Sequence, residues 1–101
     1  MERALSTYIH PGLLLKDEVI DANNLNIGQA ALLLDVSRLT LSKITNGRGA
    51  ITPNIALRIE AVFGGNADLW LRMQSCYDLV QEKQRFIKNP PKVQRYQRQH
   101  A

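Results

Sequence analysis

The stretch Asn26–Arg48, NIGQAALLLDVSRLTLSKITNGR, decides the fold, and its pattern predicts two short helices joined by a tight turn. Asn26 is a good cap for the first helix, and Gln29 stands three residues later, where a capping box requires Glu or Gln. The apolar residues of this helix recur at helical spacing and form one face: Ile27, Ala30, Ala31 and Leu34. The turn is predicted where that face is interrupted, at Asp35, Val36 and Ser37.

The second predicted helix begins after Ser37, which can cap it, and ends at Asn46-Gly47, because glycine adopts the left-handed conformation that ends helices. Leu41 and Ile44 are predicted to point inward. The outer face carries groups able to contact base edges and phosphates: Arg38, Leu39, Thr40, Ser42 and Lys43, with Arg48 just beyond. Residues 36–48 hold three basic residues and no acidic one. The pattern favours a DNA-binding helix-turn-helix, and an ordinary αα-hairpin with a solvated basic face stays open as the alternative.

Length and composition predict one globular domain of 101 residues, 45% of them apolar and 22% charged. No apolar run approaches the ~18 residues of a membrane span, so we expect no membrane partner. The single Cys76 excludes an internal disulfide, and no Cys/His cluster indicates a metal, so neither a metal nor a cofactor is expected. No catalytic constellation is present, so we predict that the protein is not an enzyme. Without the pattern of a membrane span, a secretory signal or a disulfide, a cytoplasmic location is the default expectation.

The net charge of +4 resides in the C-terminal tail. Residues 1–87 contain nine basic and nine acidic side chains, whereas residues 88–101 contain four basic and no acidic ones. We predict a folded domain at residues 10–87, preceded by a loose arm at residues 1–9, and a basic disordered tail at residues 88–101.

Three further helices are predicted around the central pair. The first begins at His10-Pro11-Gly12 and runs to about Ala22, with Leu15 and Val19 facing inward and Leu14 and Ala22 as further candidates for that face. It carries an acidic surface that could meet a basic partner: Asp17, Glu18 and Asp21. The fourth helix starts at Thr52-Pro53 and ends at Gly64-Gly65, and its predicted buried stripe consists of Ile55, Ile59, Val62 and Phe63, with Ala56 packed closely.

The last helix is predicted from Asn66 or Asp68 to about Ile87, before Pro90 and Pro91. Its apolar residues cover more than the ~100° stripe that one core requires. Either the helix is buried on two sides within one chain, or its spare face forms a homodimer, which we favour. The residues predicted for dimerisation are Leu69, Met73, Cys76 and Val80.

The segment VSRLTLSKITNGR resembles the lambda-repressor-like (Cro, XRE) DNA-binding domains. With HPGLLLKDEV before it and ITPNIALRIEAVFGGNADLWLRMQSCYDL after it, the chain resembles the HigA/VapI-type antitoxins of bacterial toxin–antitoxin modules over residues 10 to about 80. The resemblance implies an all-α, five-helix homodimer with a long C-terminal helix. It also implies binding to a double-stranded DNA operator, repression of its own operon, and neutralisation of a cognate toxin, typically a RelE/HigB-like ribonuclease.

The sequence departs from the family pattern at four positions. Ile27 stands where a phosphate-contacting Gln is usual, and Asp35 stands where the turn usually has Gly. Leu32 and Leu39 stand where polar residues are common. Leu39 could contact a thymine methyl group in the major groove, and Leu32 could contact a partner protein.

Arg38 is predicted to make a bidentate contact with a guanine, and Leu39 and Lys43 flank it. The residues predicted to anchor phosphates are Ser37, Thr40, Asn46 and Arg48. A dimer would place two such helices ~34 Å apart on a pseudo-palindromic operator. Two other functions fit the sequence: a stand-alone repressor without a toxin, and a protein-interaction adaptor that has lost DNA binding, which Ile27 and Asp35 suggest.

Overall fold

A computed structural model describes residues 9–97, and all regular structure within that range is helical. Five helical segments follow one another: α1 (Pro11–Leu14) with its continuation to Asn23, α2 (Ile27–Leu34), α3 (Arg38–Thr45), α4 (Pro53–Phe63) and α5 (Ala67–Lys88). The predicted all-α, five-helix architecture is thus confirmed. Most of the predicted N-terminal arm and residues 98–101 of the predicted tail lie outside the described residues.

The first helical segment differs from the regular α-helix that was predicted. After α1 it widens into a π-helical stretch (Leu15–Ile20) and closes with a 3-10 turn (Asp21–Asn23). The backbone N–H of Asp21 donates to the carbonyl of Lys16, five residues back, so the buried face shifts by one residue. Leu15 and Ile20 are therefore the fully buried pair, and Val19, which was predicted at α-helical spacing, is only half-buried. Leu14 and Ala22, the further candidates for the inner face, are exposed for the same reason.

The caps of the helices follow the sequence closely. His10 caps α1, Asn26 and Gln29 form the predicted capping box of α2, and Thr52 caps α4 with Pro53 in its first turn. Asn66 is the residue that caps α5. One packing prediction was wrong: Val62 on α4 is 38% exposed, because it lies on the solvent side of the stripe formed by the buried Ala56 and Ile59.

The core lies where the first segment, α2, α3 and α4 meet the N-terminal half of α5. Its buried apolar residues are Leu15, Ile20, Ala30, Ala31, Leu34, Leu41, Ile44, Ile51, Ala56, Ile59 and Trp70. Beyond Gln81, α5 is exposed on all sides, and residues 90–97 that follow it are exposed and form neither helix nor strand. The described chain is accordingly elongated, with extents of 61 × 32 × 27 Å.

Candidate nucleic-acid interface

The turn between α2 and α3 is closed by backbone hydrogen bonds around a left-handed residue. Asp35 has φ 55° and ψ 48°, a conformation that Asp tolerates better than most non-glycine residues. The N–H of Val36 donates to the carbonyl of Ala31 at 3.0 Å, and the N–H of Asp35 donates to the carbonyl of Leu32 at 3.2 Å. This pair of bonds is a Schellman motif, and it satisfies carbonyls that the end of α2 would otherwise leave unpaired.

Arg58 of α4 reinforces the same turn from a distance in the sequence. Its Nη1 donates to the carbonyl oxygens of Leu34 at 2.9 Å and Asp35 at 2.7 Å, while its Nε donates to Oδ1 of Asn54 at 2.7 Å. A guanidinium holds several donors in one rigid plane, so it can fix two adjacent carbonyls at once. Sequence reasoning missed this residue, because its partners lie 23 and 24 residues away and no local pattern signals the contact.

The N-terminal end of α3 is organised by Ser37, as predicted. Its Oγ accepts a hydrogen bond from the N–H of Thr40 at 3.0 Å and donates to Oγ1 of Thr40 at 2.8 Å. The hydroxyl of Thr40 therefore serves as an acceptor within the protein and keeps its own proton for a further acceptor. Both side chains are exposed, as phosphate contacts require.

The outer face of α3 is exposed while its inner face is buried. Arg38, Thr40 and Lys43 are exposed, and Leu39 is 65% exposed although it is apolar. Ser42 is half-buried at the edge of this face. Leu41, Ile44 and Thr45 are buried on the opposite side and hold the helix against the body. An exposed leucine among basic and hydroxyl side chains is a surface suited to base edges and thymine methyl groups.

The C-terminal end of α3 is closed by a second Schellman motif. Gly47 has φ +76°, and the N–H of Arg48 donates to the carbonyl of Lys43 at 2.8 Å. The side chain of Arg48 is exposed just beyond the helix. Asn46 is engaged locally, because its Nδ2 donates to the carbonyl of Ser42 at 2.9 Å. The residues predicted to bind DNA thus lie along one exposed surface, with the amide nitrogen of Asn46 already bonded inside the protein.

The buried side of α3 rests on the start of the first helical segment. Gly12 packs so closely that a Cβ atom built on it would lie 1.8 Å from the carbonyl oxygen of Ile44. Next to it, Nδ1 of His10 accepts a hydrogen bond from the N–H of Gly12 at 2.9 Å, and the His10 ring meets the edge of Tyr77 at a centroid distance of 4.9 Å. His10 is therefore a structural residue that ties α1, α3 and α5 together.

The loop that follows α3 is tethered to α5 by a buried amide. Oε1 of Gln74, which is 6% exposed, accepts a hydrogen bond from the N–H of Ile51 at 2.8 Å. The Nε2 atom of Gln74 donates to Oδ1 of Asp78 at 3.0 Å. The position of Arg48 relative to the body is thus fixed from both sides of its loop.

A separate groove of about 360 Å³ lies on another side of the molecule, between the first helical segment and the α4–α5 junction. Its lining includes Glu18, Val19, Phe63, Leu69, Trp70 and Met73. Glu18 was predicted to bind a toxin, whereas Leu69 and Met73 were predicted for dimerisation, and the structure places these three residues in one groove. Asp17 and Glu18 are exposed, while Asp21 forms an ion pair with Lys16 at 2.8 Å.

No cluster of His, Cys, Asp and Glu side chains within residues 9–97 could hold a metal ion. Over the same range, none of the helices combines the length and the hydropathy that crossing a membrane requires. The fold, the two closed turns and the exposed α3 together define a helix-turn-helix protein of the DNA-binding class, with α3 in the place of the recognition helix.

Comparison with known proteins agrees with this class. The profile of a family described as "Helix-turn-helix" matches residues 16–70. Virulence-associated protein A′ of Dichelobacter nodosus is 41% identical over 73 residues, which cover 71% of this chain and 63% of that protein, so the chain spans less than two thirds of this relative. The chain belongs to the helix-turn-helix family.

Two solved structures place the chain more narrowly. A HigA-family addiction module antidote protein from Coxiella burnetii superposes with a TM-score of 0.76 at 30% identity, covering 88% of this chain and 98% of that one. The antitoxin HigA of Pseudomonas aeruginosa, solved with the higBA promoter, has a TM-score of 0.76 at 30% identity and covers 80% of this chain and 88% of that one. The predicted relationship to HigA-type antitoxins is confirmed.

Proposed function

We propose that this protein is an antitoxin and transcriptional autorepressor. As a homodimer it binds a pseudo-palindromic operator with α3, and it neutralises an mRNA-cleaving toxin of the RelE/HigB kind. The observation that carries the DNA-binding part is the exposure of Arg38, Leu39 and Lys43 on a helix whose other side is locked into the core.

In the proposed complex, α3 lies in the major groove and its N-terminal residues face the base edges. Arg38 donates two hydrogen bonds to a guanine, and Leu39 contacts a thymine methyl group beside it. Lys43 flanks Arg38, whereas Ser37, Thr40, Asn46 and Arg48 contact phosphates and set the orientation of the helix. The P. aeruginosa HigA solved with its promoter supports this mode, because its fold superposes on this chain.

The homodimer is supported by a seam of spaced residues on α5. Leu69, Met73, Cys76, Val80, Lys83 and Ile87 alternate at intervals of four and three residues, which is the heptad spacing of paired helices. Five of the six are uncharged, and the exposed fraction is 53% for Leu69 and 79% for Ile87. An apolar stripe of this length on one chain is the surface that a second copy would cover.

Toxin binding is assigned to the groove beside the first helical segment. Glu18 gives the groove a negative charge and the exposed Asp17 precedes it in the chain, whereas a ribonuclease must carry a positive surface to hold RNA. The apolar floor, which includes Phe63 and Trp70, would provide the buried part of such an interface. This assignment shares Leu69 and Met73 with the dimer seam, so toxin and second subunit would meet at the edge of the groove.

The DNA-binding part is tested with the region upstream of the protein's own gene. Purified protein is titrated onto this duplex by fluorescence anisotropy at several salt concentrations. Phosphate contacts release counterions, so the affinity is expected to fall steeply as salt rises, with a log–log slope of about −0.9 for each phosphate contacted. An adaptor that has lost DNA binding would give neither saturation nor a salt-dependent slope.

The toxin-binding part is tested by co-expression with the neighbouring open reading frame. We expect that frame to encode a small basic ribonuclease that arrests growth alone and is silenced by this protein. Exchanging Asp17 and Glu18 for lysine should restore the arrest while operator binding is retained. A neighbour without toxicity, together with intact operator binding, would instead indicate a stand-alone repressor.

A further inference from the structure

One face of α5 is turned towards the C-terminal end of the recognition helix. Gly47, which ends α3, lines a cleft of about 480 Å³ together with Asp78, Glu82 and Arg85 of α5. The two acidic groups in this cleft are engaged, because Asp78 accepts a hydrogen bond from Gln74 and Glu82 pairs with Arg85. The cleft therefore marks where the exposed half of α5 passes the loop that carries Arg48.

The chain that leaves α5 begins beside this same face. Glu82 and Arg85 also line a second cleft, of about 480 Å³, whose other wall includes Asn89 and Pro91. Asn89 and Pro91 therefore lie beside the stripe that carries Glu82 and Arg85. Lys92 and Arg95 follow directly, and both are exposed.

Helix geometry separates this face from the seam assigned to dimerisation. At about 100° per residue, Asp78, Glu82, Arg85 and Asn89 fall on one stripe of α5. The seam that contains Cys76 and Val80 lies about 180° away on the same helical wheel. Pairing of two α5 helices through the seam would consequently leave this stripe uncovered, together with the start of the segment that follows it, on the side of α5 that meets Gly47.

The charge of this segment is of one sign. After Glu82, residues 83–97 contain five basic side chains and no acidic one: Lys83, Arg85, Lys88, Lys92 and Arg95. All five are exposed. From Asn89 to Arg95 an extended chain reaches up to about 20 Å, which corresponds to roughly six base pairs at the 3.4 Å spacing of B-DNA.

We propose that the segment Lys88–Arg95 is a second DNA contact, which binds phosphates of the operator flank beyond those reached by Arg48. The inference rests on the proposed operator binding and adds a surface to it. The contact is electrostatic, since the described segment presents lysine and arginine side chains without a fixed element that could enter a groove. The contact therefore increases the affinity for the operator and lengthens the stretch of DNA that the protein covers, without adding sequence preference.

The test compares two double variants with equal loss of charge. Lys92→Gln with Arg95→Gln removes the proposed contacts, and Lys16→Gln with Arg72→Gln removes two exposed or half-exposed charges from other surfaces. On a dimer, loss of four phosphate contacts should reduce the log–log salt slope by about 3.6. We expect this reduction for the Lys92/Arg95 variant and almost none for the Lys16/Arg72 variant.

Duplex length provides the second readout. Trimming about six base pairs from each flank of the operator should weaken binding by the wild type and leave the Lys92/Arg95 variant unchanged, so that both bind the trimmed duplex alike. An unchanged salt slope, or equal sensitivity of both proteins to trimming, would overturn the proposal. So would loss of toxin capture by the Lys92/Arg95 variant with its slope intact, since the segment would then bind an acidic protein surface. If the wild type itself did not bind the duplex, operator binding would fail as a whole.

Discussion

Substitution of Gly12 by alanine should destabilise the fold, because Gly12 packs directly on the backbone of Ile44. In Gly12→Ala the new Cβ would stand 1.8 Å from the carbonyl oxygen and 2.7 Å from the carbonyl carbon of Ile44, and contacts under 3.0 Å are essentially never seen. The obstacle is backbone, so it cannot rotate away, and the first helical segment must separate from α3 by about 1.2 Å or more. Overpacking of this kind costs about 1–3 kcal/mol, and we expect the upper end because neither partner is a flexible side chain.

The assay is thermal or urea unfolding, with Gly28→Ala as the matched control. Gly28 lies inside α2, where the nearest atom to an added Cβ is Oδ1 of Asn26 at 3.4 Å. Removing a glycine from a helix raises stability by roughly 0.5–1 kcal/mol, so the two substitutions should move stability in opposite directions. Each kcal/mol corresponds to about 4–8 °C in Tm for a domain of this size. A Gly12→Ala protein as stable as Gly28→Ala would refute the close packing of α3 on the first segment.

Three further outcomes are expected. Arg58→Met should lower the unfolding free energy by about 1–3 kcal/mol, because the carbonyls of Leu34 and Asp35 lose a charged donor. An unchanged unfolding free energy would contradict a stabilising role for these two hydrogen bonds. Burial lowers the pKa of His10 below its ordinary 6.5, against an opposing effect of Asp78, so the unfolded chain takes up the proton first and the unfolding free energy should fall as pH drops below 6.5. The variant His10→Asn, which can still cap α1, should flatten this pH dependence when the unfolding free energy is measured by urea titration at several pH values. A pH dependence that persists in His10→Asn would contradict the assignment to His10. Cys76→Lys should convert the dimer to a monomer in sedimentation experiments, whereas Ser75→Lys, at the neighbouring exposed position outside the seam, should leave the dimer intact. If both variants stayed dimeric, the seam on α5 would not be the dimer interface.

The parts of the fold that depend on neighbouring residues could be predicted from the sequence. The capping box of α2, the cap at Ser37 and the left-handed Asp35 and Gly47 all arise within four or five residues of chain. Caps and left-handed turn residues are determined by hydrogen bonds within this short stretch, so the residue types alone were sufficient to predict where these helices begin and end.

The features that were missed depend on contacts across the chain or on a break in periodicity. The π-helical stretch moved burial from the expected spacing to Ile20, since a 3.6-residue period assumes a regular helix. Arg58 and Gln74 bond to backbone groups more than 20 residues away, and neither has a local signature. The meeting of Glu18 with Leu69 and Met73 in one groove follows from how the first segment crosses α5, which no linear pattern encodes.

Repression of one operator requires that α3 distinguish one DNA sequence from another. The direct measurement is the ratio of affinities for the operator and for an unrelated duplex of equal length, at fixed salt, for the wild type, Arg38→Ala and Arg48→Ala. Loss of a bidentate guanine contact worth about 1–3 kcal/mol should reduce the ratio for Arg38→Ala by roughly 5- to 150-fold at each half-site. Arg48→Ala should weaken both affinities equally and keep the ratio. A ratio that Arg38→Ala leaves unchanged would contradict α3 as the recognition helix.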